Sequence, residues 1–196
     1  VLAGGKIPVV LGGEHSITPP AVRAAKDFGG EITVVQFDAH ADLRQEYEGE
    51  PMSHACAMAR VREICPAVQV GIRNLSADEA AWVSRGKLPV FFAHEMRRDP
   101  GWMARALEAI KTERVYVTID LDAFDSTAMP ATGTPEPGGV SWYDVIDFLR
   151  LISEERRVVG FDVVELAPAK NLHACDFLAA KLTYKCMGYC LTGRKA

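Results

Sequence analysis

The chain lacks the features that tie a protein to a bilayer, a polyanion or an oxidising compartment. Its apolar stretches are broken by charge or glycine well short of the ~20 residues that a membrane span needs, and no charged-then-apolar leader opens it. A cytoplasmic protein with no membrane partner is expected. There is no basic run either. Its 22 Lys and Arg are interspersed with 26 Asp and Glu for a net charge of −4, so nothing is gathered to neutralise a phosphate backbone, and nucleic acid is a poor fit. The cysteines (Cys56, Cys65, Cys175, Cys186 and Cys190) are odd in number and form no C-x-x-C pair, which suits reduced, partly buried thiols. Internal repeats, low-complexity tracts and interdomain linkers are missing. So is an initiator methionine: the chain begins Val1-Leu2-Ala3-Gly4-Gly5-Lys6, as if entered partway through an element, and a fragment is expected.

What is present is an ordinary globular composition, 48% hydrophobic and 24% charged over 196 residues, enough to bury one sizeable core as a single α/β domain over 1–196. Short β-rich apolar runs alternate with longer helical patterns, which predicts crossover units and a mainly parallel, buried sheet. Strands are expected near Pro8 to Leu11, Ile32 to Phe37, Val68 to Val70, Leu88 to Phe92, Val115 to Ile119 and Val158 to Val164. Helix starts are marked by Thr18 as N-cap before Pro19, by a capping box of Ser76 with Glu79, by Asp99 before Pro100 and by Ser141 ahead of Asp144. A last helix is expected over Asp176 to Leu191. Proline and glycine cluster between Met129 and Gly139, and this long loop is a candidate pocket wall.

The chemistry-bearing residues fall at the carboxyl ends of the predicted strands, where parallel sheets open their crevice. His15 follows the first strand, Asp38 the second, Asp120 the fifth and Glu165 the sixth. Asp38, His40 and Asp42, at i, i+2 and i+4, point to one side of an extended chain, and Asp120 and Asp122 repeat the device. Alone, D-x-H-x-D suits a solvated loop as well as a ligand set. Together, four carboxylates without counter-charge would repel one another, whereas two dications would cancel them and activate a water. Oxygen donors with a minority of imidazole and no thiolate favour a hard ion such as Mn²⁺ over structural Zn²⁺. His54 is read either as a proton shuttle or as the polar start of a helix. Cys56 is a small buried thiol before it is a nucleophile. His94 and His173 occupy segments without an acidic partner pattern. Glu165 ends a buried strand and calls for a cationic partner or substrate.

With G-G-E-H-S at 12–16, F-D-A-H-A-D-L-R at 37–44, S-H-A-C-A-M at 53–58, I-D-L-D-A-F-D at 119–125, A-T-G-T-P-E-P-G-G at 131–139 and F-D-V-V-E-L-A-P at 161–168, the chain resembles the ureohydrolase family, and within it the agmatinase branch. The resemblance runs nearly end to end. It implies a three-layer α/β/α, arginase-like fold with a mainly parallel sheet, two Mn²⁺ per chain, a small guanidino substrate cleaved to urea and an amine, and assembly into homo-oligomers, trimers or hexamers. By the same resemblance His15 and Asp42 belong to one metal, His40 and Asp122 to the other, and Asp38 and Asp120 bridge. The resemblance further implies that the ions would supply an activated water to attack a guanidinium held by Glu165. Asp42 passes a proton to the leaving nitrogen, His54 is the proton shuttle, and Thr134 lies in the substrate loop.

Branch and departures are also readable. Arginase-type members carry Asn two residues after the third aspartate ligand, where this chain has Arg44 followed by the acidic stretch Gln45-Glu46-Tyr47-Glu48-Gly49-Glu50, which favours a decarboxylated amine such as agmatine. The family usually reads Asp-Pro where this chain has Asp125-Ser126, and relatives have an N-terminal strand and helix segment that this sequence lacks. Alternatives are a guanidino-acid hydrolase such as guanidinobutyrase, a D-x-D phosphatase with Asp120 as nucleophile, and a non-catalytic metal-binding subunit.

Overall fold

A computed structural model of the chain describes residues 1–86 and 88–193. Six strands form one sheet: β1 (Val9–Leu11), β2 (Thr33–Phe37), β3 (Ala67–Ile72), β4 (Val90–Phe92), β5 (Arg114–Asp120) and β6 (Arg157–Val164). Their order is β1-β6-β5-β2-β3-β4, and every pairing is parallel. All residues of β2 and β3 are buried, which is why they read as near-continuous apolar runs rather than alternating ones.

Among the described residues six α-helices lie between the strands and a seventh follows the last: α1 (Thr18–Gly29), α2 (Ala57–Arg62), α3 (Ala77–Gly86), α4 (Ala93–Met96), α5 (Trp102–Ala109), α6 (Trp142–Glu155) and α7 (His173–Thr192). They cover both faces and produce two cores. On one face Val22 of α1, Met58 and Val61 of α2 and Val83 of α3 pack on Val34, Ile72 and Tyr116. On the other, Trp102 and Ala106 of α5, Phe148 and Ile152 of α6 and Leu182 of α7 pack on Val35, Phe37, Val117 and Phe161. This is the expected three-layer arrangement. Among the described residues no helix is long and apolar enough to cross a membrane, and Cys56, Cys65, Cys175, Cys186 and Cys190 are all free thiols.

From β2 the chain works outward through α2 and α3 to β3 and β4, then returns through α5 to β5 on the other side of β2 and continues through α6 to β6. The neighbours β2 and β5 thus send their crossovers to opposite faces and leave a crevice beyond their carboxyl ends. Register aligns those ends: Phe37 lies opposite Ile119, and Ile119 and Leu11 both lie opposite Val163. Whatever follows β1, β2, β5 and β6 must emerge along one rim.

Local signals hold in part. Ser141 and Asp144 form the predicted capping box on α6, with Asp144 N donating to Ser141 Oγ and Ser141 N to Asp144 Oδ2. Ser76 and Glu79 do the same ahead of α3. Thr18 is not an N-cap. It lies inside α1 after a 3-10 turn over His15–Ile17, and its hydroxyl is drawn to Asp162 instead. Asp99 caps only a turn, accepting from Gly101 N at 2.9 Å, and α5 begins at Trp102. β3 runs past its predicted end because Gly71, at φ 91, absorbs a shift in register between Val70 and Ile72. The last helix starts at His173 rather than Asp176 and contains an i,i+3 contact between His173 and Asp176 at 3.7 Å, so His173 does have an acidic neighbour.

Phe148 is fully buried and packs edge-on against both Phe37 and Trp102, with centroids 5.9 and 5.1 Å away. Phe148→Ala should lower the unfolding free energy by about 3–5 kcal/mol. Denaturant titration should record this as a lower midpoint with an unchanged slope.

Candidate metal centre

The rim fixed by strand register collects the predicted ligands. After β1, Gly12-Gly13-Glu14 leads into the 3-10 turn that buries His15, whose Nδ1 faces Asp38 Oδ2 at 3.1 Å, Asp42 Oδ2 at 3.1 Å and Asp120 Oδ2 at 3.3 Å. Asp38 directly follows β2. Asp42 reaches back because its own backbone turns left-handed, with φ 52, a conformation that Asp tolerates better than most residues. His40 Nδ1 lies 3.0 Å from Asp122 Oδ2 and 3.6 Å from Asp38 Oδ1. Asp38 therefore offers one oxygen to each imidazole and belongs to both possible cation sites, His15/Asp38/Asp120 and Asp38/His40/Asp122.

Asp120 and Asp122 converge on the same spot by a different route from the expected alternation. Asp120 is the last residue of β5, and Leu121–Ala123 form a 3-10 turn that Asp120 caps by accepting from Asp122 N at 2.9 Å. The turn, not an extended strand, swings Asp122 toward His40.

The electrostatics ask for positive charge. Burial, and next the charge of Asp38, push the carboxyls of Asp42, Asp120 and Asp122 upward, Asp42 to about 7. Burial also opposes ionisation of Asp38, but the imidazoles of His15 and His40 hold it well below the usual carboxylate range. Burial alone would discharge His40, yet hydrogen bonds to Asp122 and Asp38 raise it to about 11. His15 Nδ1 is buried and makes no directed hydrogen bond despite its three carboxylate neighbours. A donor set rich in carboxylate, with two imidazoles and an undirected nitrogen at its centre, fits a pair of divalent cations.

Above this floor opens a cavity of ≈ 190 Å³ lined by His15, His40, Asp42, His54, Thr134 and Glu165 among others, with Asp38 buried beneath. Glu165 follows β6 at φ 64 and accepts from His15 N at 2.7 Å. It is half-buried and pairs with no cationic side chain among the described residues, so its remaining oxygen is available to a cationic ligand. His54 opens a 3-10 turn ahead of α2 and also borders the cavity, where its exposed ring lies 3.2 Å from Glu14 and tilts against Tyr47. Thr134 donates to Asp122 Oδ2 at 3.4 Å and is the residue by which the 129–139 loop lines the pocket.

Sequence reasoning missed the supports. Gln36 Nε2 donates to Asp38 Oδ2 at 2.6 Å and is itself held by Gln69. Arg73 makes no ion pair among the described residues. Its guanidinium donates instead to the carbonyls of Gly71, Asp122, Ala123, Phe124, Glu136 and Pro137, at 2.7 to 3.3 Å. Asp162, fully buried in β6, gathers the hydroxyls of Thr18, Tyr116 and Thr118. The readable signal was polar residues inside otherwise apolar strands.

In the cation-free centre, against burial, the carboxylate neighbours favour the protonated form of His15 and His40, and burial favours the protonated form of Asp42 and Asp120. A bound cation must displace protons from these ligands, so uptake should release protons, and affinity should climb as pH rises from 6 to 8. Mn²⁺ calorimetry in buffers of differing ionisation enthalpy measures both quantities; affinity that is flat or falling with pH would contradict this protonation pattern.

Residues 1–188 match the model of the arginase family. The chain is 44% identical over 187 residues to an N(1)-aminopropylagmatine ureohydrolase of Synechocystis sp., covering 94% of this chain and 61% of that protein. It is 35% identical to an agmatinase of Pyrococcus horikoshii, covering 93% and 62%. The crystal structure of agmatine ureohydrolase of Thermoplasma volcanium superposes with a TM-score of 0.86 at 34% identity, covering 97% of this chain and 64% of that one. The chain thus spans a little over three-fifths of the length of these relatives. In sequence and fold, it belongs to the arginase family.

Proposed function

We propose that this protein is a metal-dependent amidinohydrolase of the agmatinase type, using two Mn²⁺ ions to split a guanidino group into urea and an amine. The observation that carries the reading is Asp38, whose two oxygens serve two separate ligand groups beneath a cavity walled by Glu165. His15, Asp42, Asp38 and Asp120 would hold one ion, and Asp38, Asp120, His40 and Asp122 the other. When bound, the ions would supply an activated water as nucleophile.

The residues themselves do the rest. The carboxylate of Glu165, fixed by the backbone of His15, holds the substrate guanidinium over the centre and orients its carbon. Thr134 lines the same pocket. Asp42 is placed to hand a proton to the leaving nitrogen, and His54, exposed at the rim, exchanges protons with solvent. Agmatine, yielding putrescine, is the substrate favoured by the acidic stretch after Asp42. A longer amine, N(1)-aminopropylagmatine, is the second reading, favoured by the name of the Synechocystis relative and of a 42% identical Thermus thermophilus relative. Association of the chain into trimers or hexamers in the cytoplasm belongs to the same proposal.

Urea release after Mn²⁺ loading should be seen with agmatine or N(1)-aminopropylagmatine and be far weaker with arginine and guanidinobutyrate. Two bound ions with no urea from any of the four would mark a non-catalytic metal-binding protein. Glu165→Gln should cut kcat/KM by about 100-fold or more, because the guanidinium loses its counter-charge in the pocket. Asp120→Asn, which removes a shared charge, should abolish turnover and lower the number of ions retained.

A further inference from the structure

Asp162 is a fully buried carboxylate that forms no ion pair among the described residues. Its close partners are hydroxyls: Tyr116 donates to Oδ2 at 2.9 Å, Thr18 to Oδ2 at 3.0 Å and Thr118 to Oδ1 at 2.5 Å. A carboxylate so deep in a sheet is costly unless its acceptor capacity is used, and only one of these donors leads elsewhere. Thr118 Oγ1 also lies 2.9 Å from His15 Nε2.

Hydrogen-bond polarity then decides the state of His15. A hydroxyl has one proton to give. Thr118 gives its proton to Asp162 and can only accept from His15, so Nε2 carries a hydrogen and a ring that takes up a cation must do so through Nδ1. Nδ1 is the nitrogen left facing Asp38, Asp42 and Asp120. Thr18, 3.3 Å from Thr118, does not reverse this, since its own proton also goes toward Asp162 or Thr118.

We propose that Asp162, acting through Thr118, is a positioning residue that fixes the tautomer of His15 and so sets cation affinity in the His15/Asp38/Asp120 half of the centre alone. The inference rests on the two-ion reading put forward above. His40, Asp122 and the other half have no part in this network, which makes the expected effect lopsided. An outer partner that orients an imidazole ligand is worth about 10- to 100-fold in affinity.

The test is Mn²⁺ titration of the full chain, followed by calorimetry, in wild type, Asp162→Asn, Thr118→Val and Thr118→Ser. Wild type should take up two ions. In Asp162→Asn the amide can donate to Thr118, turning its hydroxyl toward Nε2 and moving the imidazole proton to Nδ1. One ion should then bind about 10- to 100-fold more weakly while the other stays within about twofold. Thr118→Val, which keeps the shape and deletes the hydroxyl, should give the same one-sided loss, and it carries the test should Asp162→Asn fail to fold. Thr118→Ser should bind like wild type. Equal weakening of both ions, or no weakening in either folded variant, would overturn the relay while leaving the two-ion reading intact. A wild type that takes up no Mn²⁺ would overturn both.

Discussion

Four carboxyl groups, Asp38, Asp42, Asp120 and Asp122, occupy one buried spot with two imidazoles, and their mutual repulsion is the constraint around which this fold is arranged. Such a cluster survives only if the backbone leaves each acid little freedom to escape. Parallel register achieves that: β2 and β5 are hydrogen-bonded neighbours that end level with each other, so Asp38 and Asp120 emerge side by side. Burial then limits how far water can screen the charges, and the cluster is left calling for positive charge.

Much of this was written in the chain. The strands of a doubly covered parallel sheet are long apolar runs, so acids and histidines placed just after them stand out, and each predicted ligand lies at the common rim. Legibility fell where a side chain serves a distant partner rather than its neighbours. Thr18 before Pro19 has every local mark of an N-cap, but its hydroxyl is claimed by Asp162, far along the sequence. Asp120-x-Asp122 reads as strand alternation, yet the first acid caps a tight turn that aims the second. Thr118, Tyr116 and Gln36 pass for ordinary strand residues, because hydroxyls and amides within β-rich segments give no hint of what they bond.

The supports form a graded polar layer beneath the ligands. Gln69 holds Gln36, Gln36 holds Asp38, and Asp162 with its hydroxyls lies under His15. Asp38 and His15 are thereby oriented from below, and buried hydrogen bonds of this kind are costly to leave half-made. The same logic accounts for Glu79, whose two oxygens tie Leu43 N, next to the ligand Asp42, to Ser76 N at the start of α3.

Arg73 draws the last of these threads together. A single guanidinium grips the carbonyls of residues 122–124 and of residues 136–137 in the loop that carries Thr134. Turn and loop are therefore tied together through one side chain. The turn that aims Asp122 and the segment that follows Thr134 are thus pinned by the same side chain, and removing it would loosen both at once.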